Sequence, residues 1–152
     1  MSNHILVATR KGLFTLARSA ASDWRIAKAD FVGDNVTGAL ADPRDGYRYA
    51  ALDHGHFGVK LHRSAGPDAT WEEVAVPVYP KQPEGEVEKD PMGRVIAWSL
   101  SKIWVMEPGA ASQPGLLWAG TLPGGLFRSA DRGSSWEMIR PLWDEPRRKF
   151  WM

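Results

Sequence analysis

The chain has 152 residues, 43% of them hydrophobic and 24% charged, with 19 basic against 18 acidic side chains. A chain of this length and apolarity can bury a core, which argues against disorder. A formal net charge of +1 leaves no electrostatic footprint for nucleic acid or an anionic membrane surface, and the absence of cysteine excludes disulfides and thiolate zinc sites.

The start carries only Ile5 to Ala8 as an apolar run, too short for a signal-peptide core or a membrane span. A cytoplasmic location is expected, and the sequon Asn35-Val36-Thr37 then reads as a chance match, because glycosylation requires export. Fifteen glycines, eleven prolines and eight tryptophans, with no sustained 3.6-residue periodicity, predict short strands joined by tight turns and little helix.

Three segments align as copies of one unit. The first runs from His4 through Gly12-Leu13-Phe14 to Trp24 and Ile26. An apolar strand from Val36 then ends in the turn Asp42-Pro43-Arg44-Asp45-Gly46 and leads into the second copy, Tyr47 to Val74. The third, Leu116 to Ile139, reads as strand, glycine turn, strand, polar turn, strand, and is preceded by the apolar stretch Ile103 to Pro108. The pair Arg63-Ser64 stands before Trp71 as Arg128-Ser129 stands before Trp136, so the register is shared. Each full copy thus predicts four antiparallel strands, A to D, whereas the first has nothing ahead of it to serve as strand A.

The most specific motif is Ser129-Ala130-Asp131-Arg132-Gly133-Ser134-Ser135-Trp136. It fits a hairpin turn in which the Asp131 carboxylate accepts backbone N–H groups, Gly133 supplies a positive φ and Trp136 packs between sheets. The second copy keeps Ser64 and Trp71 but has Gly66 where the aspartate belongs, with Asp68 as a shifted substitute.

With this motif, the Asp box, and with Asp53-His-Gly-His-Phe-Gly58 and Ala119 to Phe127, the chain resembles the bacterial BNR-repeat proteins, a group similar to sialidases, sortilin-type receptors and photosystem assembly factors. The resemblance implies an all-β chain: a β-propeller of four-stranded antiparallel blades, about two and three-quarter of them present. Blade one would supply strands B to D over residues 4–31, blade two 35–76 and blade three 102–140. An insertion covers 77–101, and a linker to a further blade 141–152. Terminal sheets left open in this way imply self-association unless the chain is part of a longer protein.

Strand order filters the chemistry. In an up-and-down blade the B-to-C and D-to-A connections leave on one side, and loops held by a rigid scaffold carry binding residues. That side would bear Arg10, Lys11, Asp53, His54 and His56, the candidate ligand-binding set, with the 77–101 insertion reaching over it as a mobile lid. Arg10 and Lys11 suit a carboxylate or phosphate, or are ordinary exposed turn cations. In an extended chain His54 and His56 would point the same way beside Asp53, which fits a general base or half a metal site; without a third ligand no metal is assigned, and turn packing explains the pair equally well. No cofactor motif is present.

The resemblance leaves function between two classes, and the residues alone add a third, a metal-dependent hydrolase or lyase using His54 and His56. One is a non-catalytic propeller binding a small molecule or glycan at the channel mouth. The other is a sialidase-like glycoside hydrolase, which would need three arginines for the substrate carboxylate, a Tyr–Glu pair and an Asp acid. Arg10 is the only counterpart for those arginines, Tyr47, Tyr49 and Tyr79 form no recognisable pair with a glutamate, and the catalytic residues are left unassigned.

Overall fold

The computed structural model describes residues 3–18 and 23–150, so residues 19–22 of the first copy and 151–152 of the expected linker lie outside the described residues. The chain divides into two compact units, residues 1–74 and 75–152. Its architecture is all-β, in three antiparallel sheets.

In the first unit β1 (His4–Thr9), β2 (Gly12–Arg18) and β3 (Trp24–Asp30) form a three-stranded sheet in that order. The next four strands, β4 (Asn35–Ala41), β5 (Arg48–Asp53), β6 (Val59–Ser64) and β7 (Glu72–Val74), form a second sheet, again in chain order. Strand alternation decides which side chains meet. Leu13, Val36, Ala50 and Leu52 make a buried core, with Leu6, Ala8, Phe31, Ala39 and Trp71 packed against it. Removing each such side chain from water is worth about 1.5–3 kcal/mol for the larger ones. The register Ile5↔Leu16↔Ile26 places those three on the opposite face of the first sheet, where Ile5 and Ile26 stay exposed.

The turn after β4 is held by charge. Arg44 grips the buried Asp42 carboxylate with its Nε (2.8 Å) and Nη2 (2.6 Å), and donates its backbone N–H to the same group. Proline at 43 is followed by a residue that closes an Asx turn, so the sequence signature and the geometry have one cause. The fork of two charge-assisted bonds to Asp42 holds the Arg44 guanidinium above its already high ordinary value.

In the second unit β8 (Lys102–Pro108), β9 (Leu117–Leu122), β10 (Gly125–Ser129) and β11 (Glu137–Met138) form a four-stranded sheet in chain order. Leu117, Ala119 and Thr121 alternate inward on β9 and are buried, as are Ile103, Met106 and Phe127. Residues 77–101 contain no named strand, but a bridge pairs Lys89 with Val95. The stretch read as a linker carries a short helix α1 (Arg140–Trp143), with proline in its first turn, and a 3-10 turn over Pro146–Phe150. Trp143 and Arg148 are buried there, because the indole meets the Tyr79 and Trp98 rings edge-on and lies under the Arg148 guanidinium.

Trp24 opens the last strand of its sheet, and Trp71 and Trp136 each stand one residue before theirs, but their surroundings differ. Trp24 is exposed near Arg18, Trp71 packs on the Phe31 ring, and Trp136 donates its Nε1–H to the Ala75 carbonyl. No helix among the described residues is long and apolar enough to cross a membrane.

Candidate functional site

Within the first unit, three connections converge. The β1–β2 turn carries Arg10 and Lys11, both exposed, and is shaped by Thr9, whose hydroxyl donates to the Gly12 carbonyl (2.9 Å) and accepts the Lys11 N–H (3.0 Å). The β3–β4 connection, residues 31–34, is tied to that turn by the Gly33 N–H on the Lys11 carbonyl at 3.1 Å. It is tied to the β5–β6 turn at its other side, where Asn35 Nδ2 reaches Asp53 Oδ2 (3.4 Å) and Asp34 Oδ1 stands 3.8 Å from His54 Nε2. The end so built presents Arg10, Lys11 and His56 together with two exposed apolar side chains, Val32 (73%) and Phe57 (82%). Their exposure gave no periodic signal in the sequence.

The histidines do not lie on an extended chain. Residues Gly55–Phe57 form a 3-10 turn, entered through the Asp53 carboxylate accepting the Gly55 N–H (3.0 Å) and closed by the His54 N–H on the Gly58 carbonyl (3.0 Å). Gly55 (φ 57°) and Gly58 (φ 75°) take left-handed conformations that favour glycine, which is why the run curls rather than continuing β5. The expectation that His54 and His56 point the same way is therefore corrected. His56 is exposed, whereas His54 Nε2 is shielded from solvent with no hydrogen-bond partner among the described residues.

His62, on β6, stands near His54, with its ring 4.9 Å from that of Phe31. Burial pushes its imidazole below the ordinary value; Glu73 opposes that shift, and His54 and Lys60 reinforce it. Its Nδ1, and Trp71 Nε1 beyond Phe31, are also shielded and without hydrogen-bond partners among the described residues. No group of three or more metal-ligating side chains comes together among the described residues.

At the other end of its sheet, the Ser129–Trp136 turn is filled by its own side chains. The Ser129 hydroxyl donates to Asp131 Oδ1 (2.8 Å) and accepts the N–H groups of Asp131 (3.3 Å) and Gly133 (2.8 Å). Asp131 accepts the Ser135 N–H (2.9 Å) and hydroxyl (2.6 Å), while Arg132 and Gly133 adopt positive φ of 58° and 82°. Partial desolvation alone would raise the Asp131 carboxyl; the Ser135 and Ser129 donors outweigh it and hold the group below the usual carboxylate range. In the second copy Ser64 donates to the carbonyls of Gly66 (2.8 Å) and Ala69 (3.0 Å), and the exposed Asp68 takes no part among the described hydrogen bonds.

The second unit contains a cavity of about 620 Å³, beside the β9–β10 turn of its own sheet. Its floor is Trp104, Val105 and Gly120; the turn Leu122–Gly125 forms one wall, Ile96 and the Asp90–Arg94 pair another, and Leu142 and Arg148 a third. Residues 86–96 fold as a hairpin through the bonds of Asp90 N–H to the Arg94 carbonyl and Ile96 N–H to the Glu88 carbonyl, both 2.9 Å. Glu88 anchors it, accepting Trp98 Nε1–H (2.6 Å) and Arg148 Nη2–H (2.7 Å). Beneath the turn, the Tyr79 hydroxyl bonds to Thr121 and the Pro123 carbonyl, and burial raises its pKa above the ordinary value against the opposing pull of Thr121. Sequence reading put the Thr121–Gly125 turn and the 77–101 insertion on the ligand side but missed Leu142 and Arg148, which lie in the segment taken for a linker.

Taken together, these features define an all-β protein, each unit of which is described by its own strand connections. The chain matches no protein-family model, and no curated protein sequence matches it.

Proposed function

We propose that the chain is part of an Asp-box β-propeller, each of its three sheets a blade or most of one, and that it is a non-catalytic binding protein of the BNR-repeat kind. The support is a repeated construction: a buried serine at the end of the third strand organises the turn in two sheets, Ser64 and Ser129. A threonine at or one residue before the end of a strand also reaches the carbonyl of the glycine opening the next strand, twice: Thr9 of β1 to Gly12 (2.9 Å) and Thr121 of β9 to Gly125 (3.2 Å).

The ligand end is the one bearing Arg10, Lys11, Asp53, His54 and His56, and the ligand is a small molecule or glycan. One observation carries this: the hydrogen bonds of Gly33 to Lys11 and of Asn35 to Asp53 fasten three connections together, and these connections carry the exposed Arg10, Lys11 and Phe57 side chains. A sugar ring stacks on such an aromatic face while a cation meets an acidic group. The sialidase-like alternative needs a tyrosine–glutamate pair facing Arg10, yet in this unit Tyr47 and Tyr49 stack on each other at the opposite end of β5 from Asp53. The test is binding to an immobilised panel of neutral and acidic glycans. Binding should fall at least tenfold in Arg10→Ala/Lys11→Ala and in Phe57→Ala and persist in Asp131→Ala; the opposite pattern overturns the reading.

A further inference from the structure

The cavity of the second unit has no counterpart in the surface just described, and its lining has a chemistry of its own. At about 620 Å³ it falls in the range of small-molecule sites. Nearly every charge that lines it is already matched. Asp90 Oδ2 takes Arg94 Nε–H at 2.6 Å, and Arg148, 8% exposed, is bound to Glu88 at 2.7 Å and to the Trp143 carbonyl at 2.9 Å. The Thr121 hydroxyl is engaged by Gly125 and Tyr79. A charged ligand would have to compete with these pairs and leave a buried partner unmatched, a cost of several-fold to many-fold in affinity. The exposed floor is mostly apolar instead: Trp104 and Val105 are 62% and 46% exposed, with Lys102 Nζ 4.5 Å over the Trp104 ring. Gly120 keeps the floor low, since a Cβ there would come within 2.9 Å of Val105 Cγ1.

The walls are also stiff. The Arg148 guanidinium lies 3.6 Å over the Trp143 ring, and Trp143 meets Trp98 and Tyr79 edge-on at 5.2 and 5.1 Å. These contacts hold the hairpin and α1 in place without any ligand, so ordering costs on binding are low.

We propose that this cavity binds an uncharged, ring-containing apolar small molecule, seated on Trp104 and Val105 between the 86–96 hairpin and Leu142. The proposal rests on residues of the second unit alone.

Two probes sharing one aromatic frame test it: neutral N-phenyl-1-naphthylamine and anionic 8-anilinonaphthalene-1-sulfonate, each titrated by fluorescence against the whole chain. The neutral probe should saturate and bind at least tenfold more tightly than the sulfonate. Val105→Trp, which fills the floor, should weaken it at least tenfold, while Ile26→Lys on the first unit's exposed apolar face and Phe57→Ala should leave it unchanged. If Val105→Trp does not fold by circular dichroism, Ile96→Gln on the hairpin serves, with the same expectation. Equal or tighter binding of the sulfonate, no saturable binding, or insensitivity to the cavity variants overturns the proposal. So does loss of a dimer in sedimentation on Val105→Trp with probe affinity unchanged, which would make the cavity an interface between copies.

Discussion

The turns closing β6 and β10 stand at equivalent places in two sheets and are built differently. Around Ser129 one hydroxyl serves as donor and twice as acceptor, and a carboxylate takes up the rest of the loop. Around Ser64 no carboxylate takes part, and the hydroxyl shares its proton between two carbonyls. The comparison teaches that the serine is the common element. It is buried in both turns (2% and 1% exposed), whereas the aspartate is an addition that one turn does without.

That difference can be broken by substitution. Ser129→Ala should cost most, about 2–3 kcal/mol, because it strands the buried Gly133 N–H, the part-buried Asp131 N–H and one carboxylate interaction together. Asp131→Ala should cost about 1–2 kcal/mol, since its partners, except Ser129, can turn to water. Ser64→Ala should cost about 1 kcal/mol, as carbonyls tolerate an unused lone pair better than N–H groups tolerate a lost acceptor. Thermal and urea unfolding of the three variants give the order, and Ser64→Ala matching or exceeding Ser129→Ala would contradict it.

Acid sharpens the same contrast. Asp131 is held below the usual carboxylate value in the folded chain, so its contribution is whole above about pH 4 and is lost as the pH falls through the lowered folded value. The stability gap between wild type and Asp131→Ala should therefore close on acidification below about pH 4. In the Ser64 sheet the pH dependence comes from a different group. Burial keeps the His62 imidazole below its ordinary value, so the unfolded chain takes up a proton that the folded chain refuses. Stability is therefore whole above about pH 6.5 and falls as the pH drops from there through the lowered folded value. The smallest effect expected is that His62→Phe, which keeps the ring contact with Phe31, flattens the decline in melting temperature between about pH 7 and 5.

Much of the fold was legible because strands and turns announce themselves locally. The glycine turns, Asp42-Pro43-Arg44 and the Ser-to-Trp spacing predict where chains reverse, and the three antiparallel sheets follow those breaks. What was not legible depends on tertiary placement. The His54–Gly58 run looks like extended chain until Gly55 and Gly58 turn it into a 3-10 coil. Pro141 and Pro146 read as linker residues, yet the first opens a helix that buries Trp143 and the second begins a turn that buries Arg148. Arg10, Lys11, Asp53, His54 and His56 could be named as candidates because strand order alone puts their turns at one end of the first unit. The exposure of Val32 and Phe57, and the cavity over Val105, depend on which neighbours fold back, and no periodicity records that.

The most direct test of the functional account is a chemical-shift map of the isotopically labelled chain titrated with a glycan that the panel identifies. Perturbations should concentrate at residues 10–11, 31–34 and 53–58, where the three connections are fastened together. Perturbations concentrated instead at residues 64–71 and 129–136 would show that the serine turns carry the binding and would contradict the account.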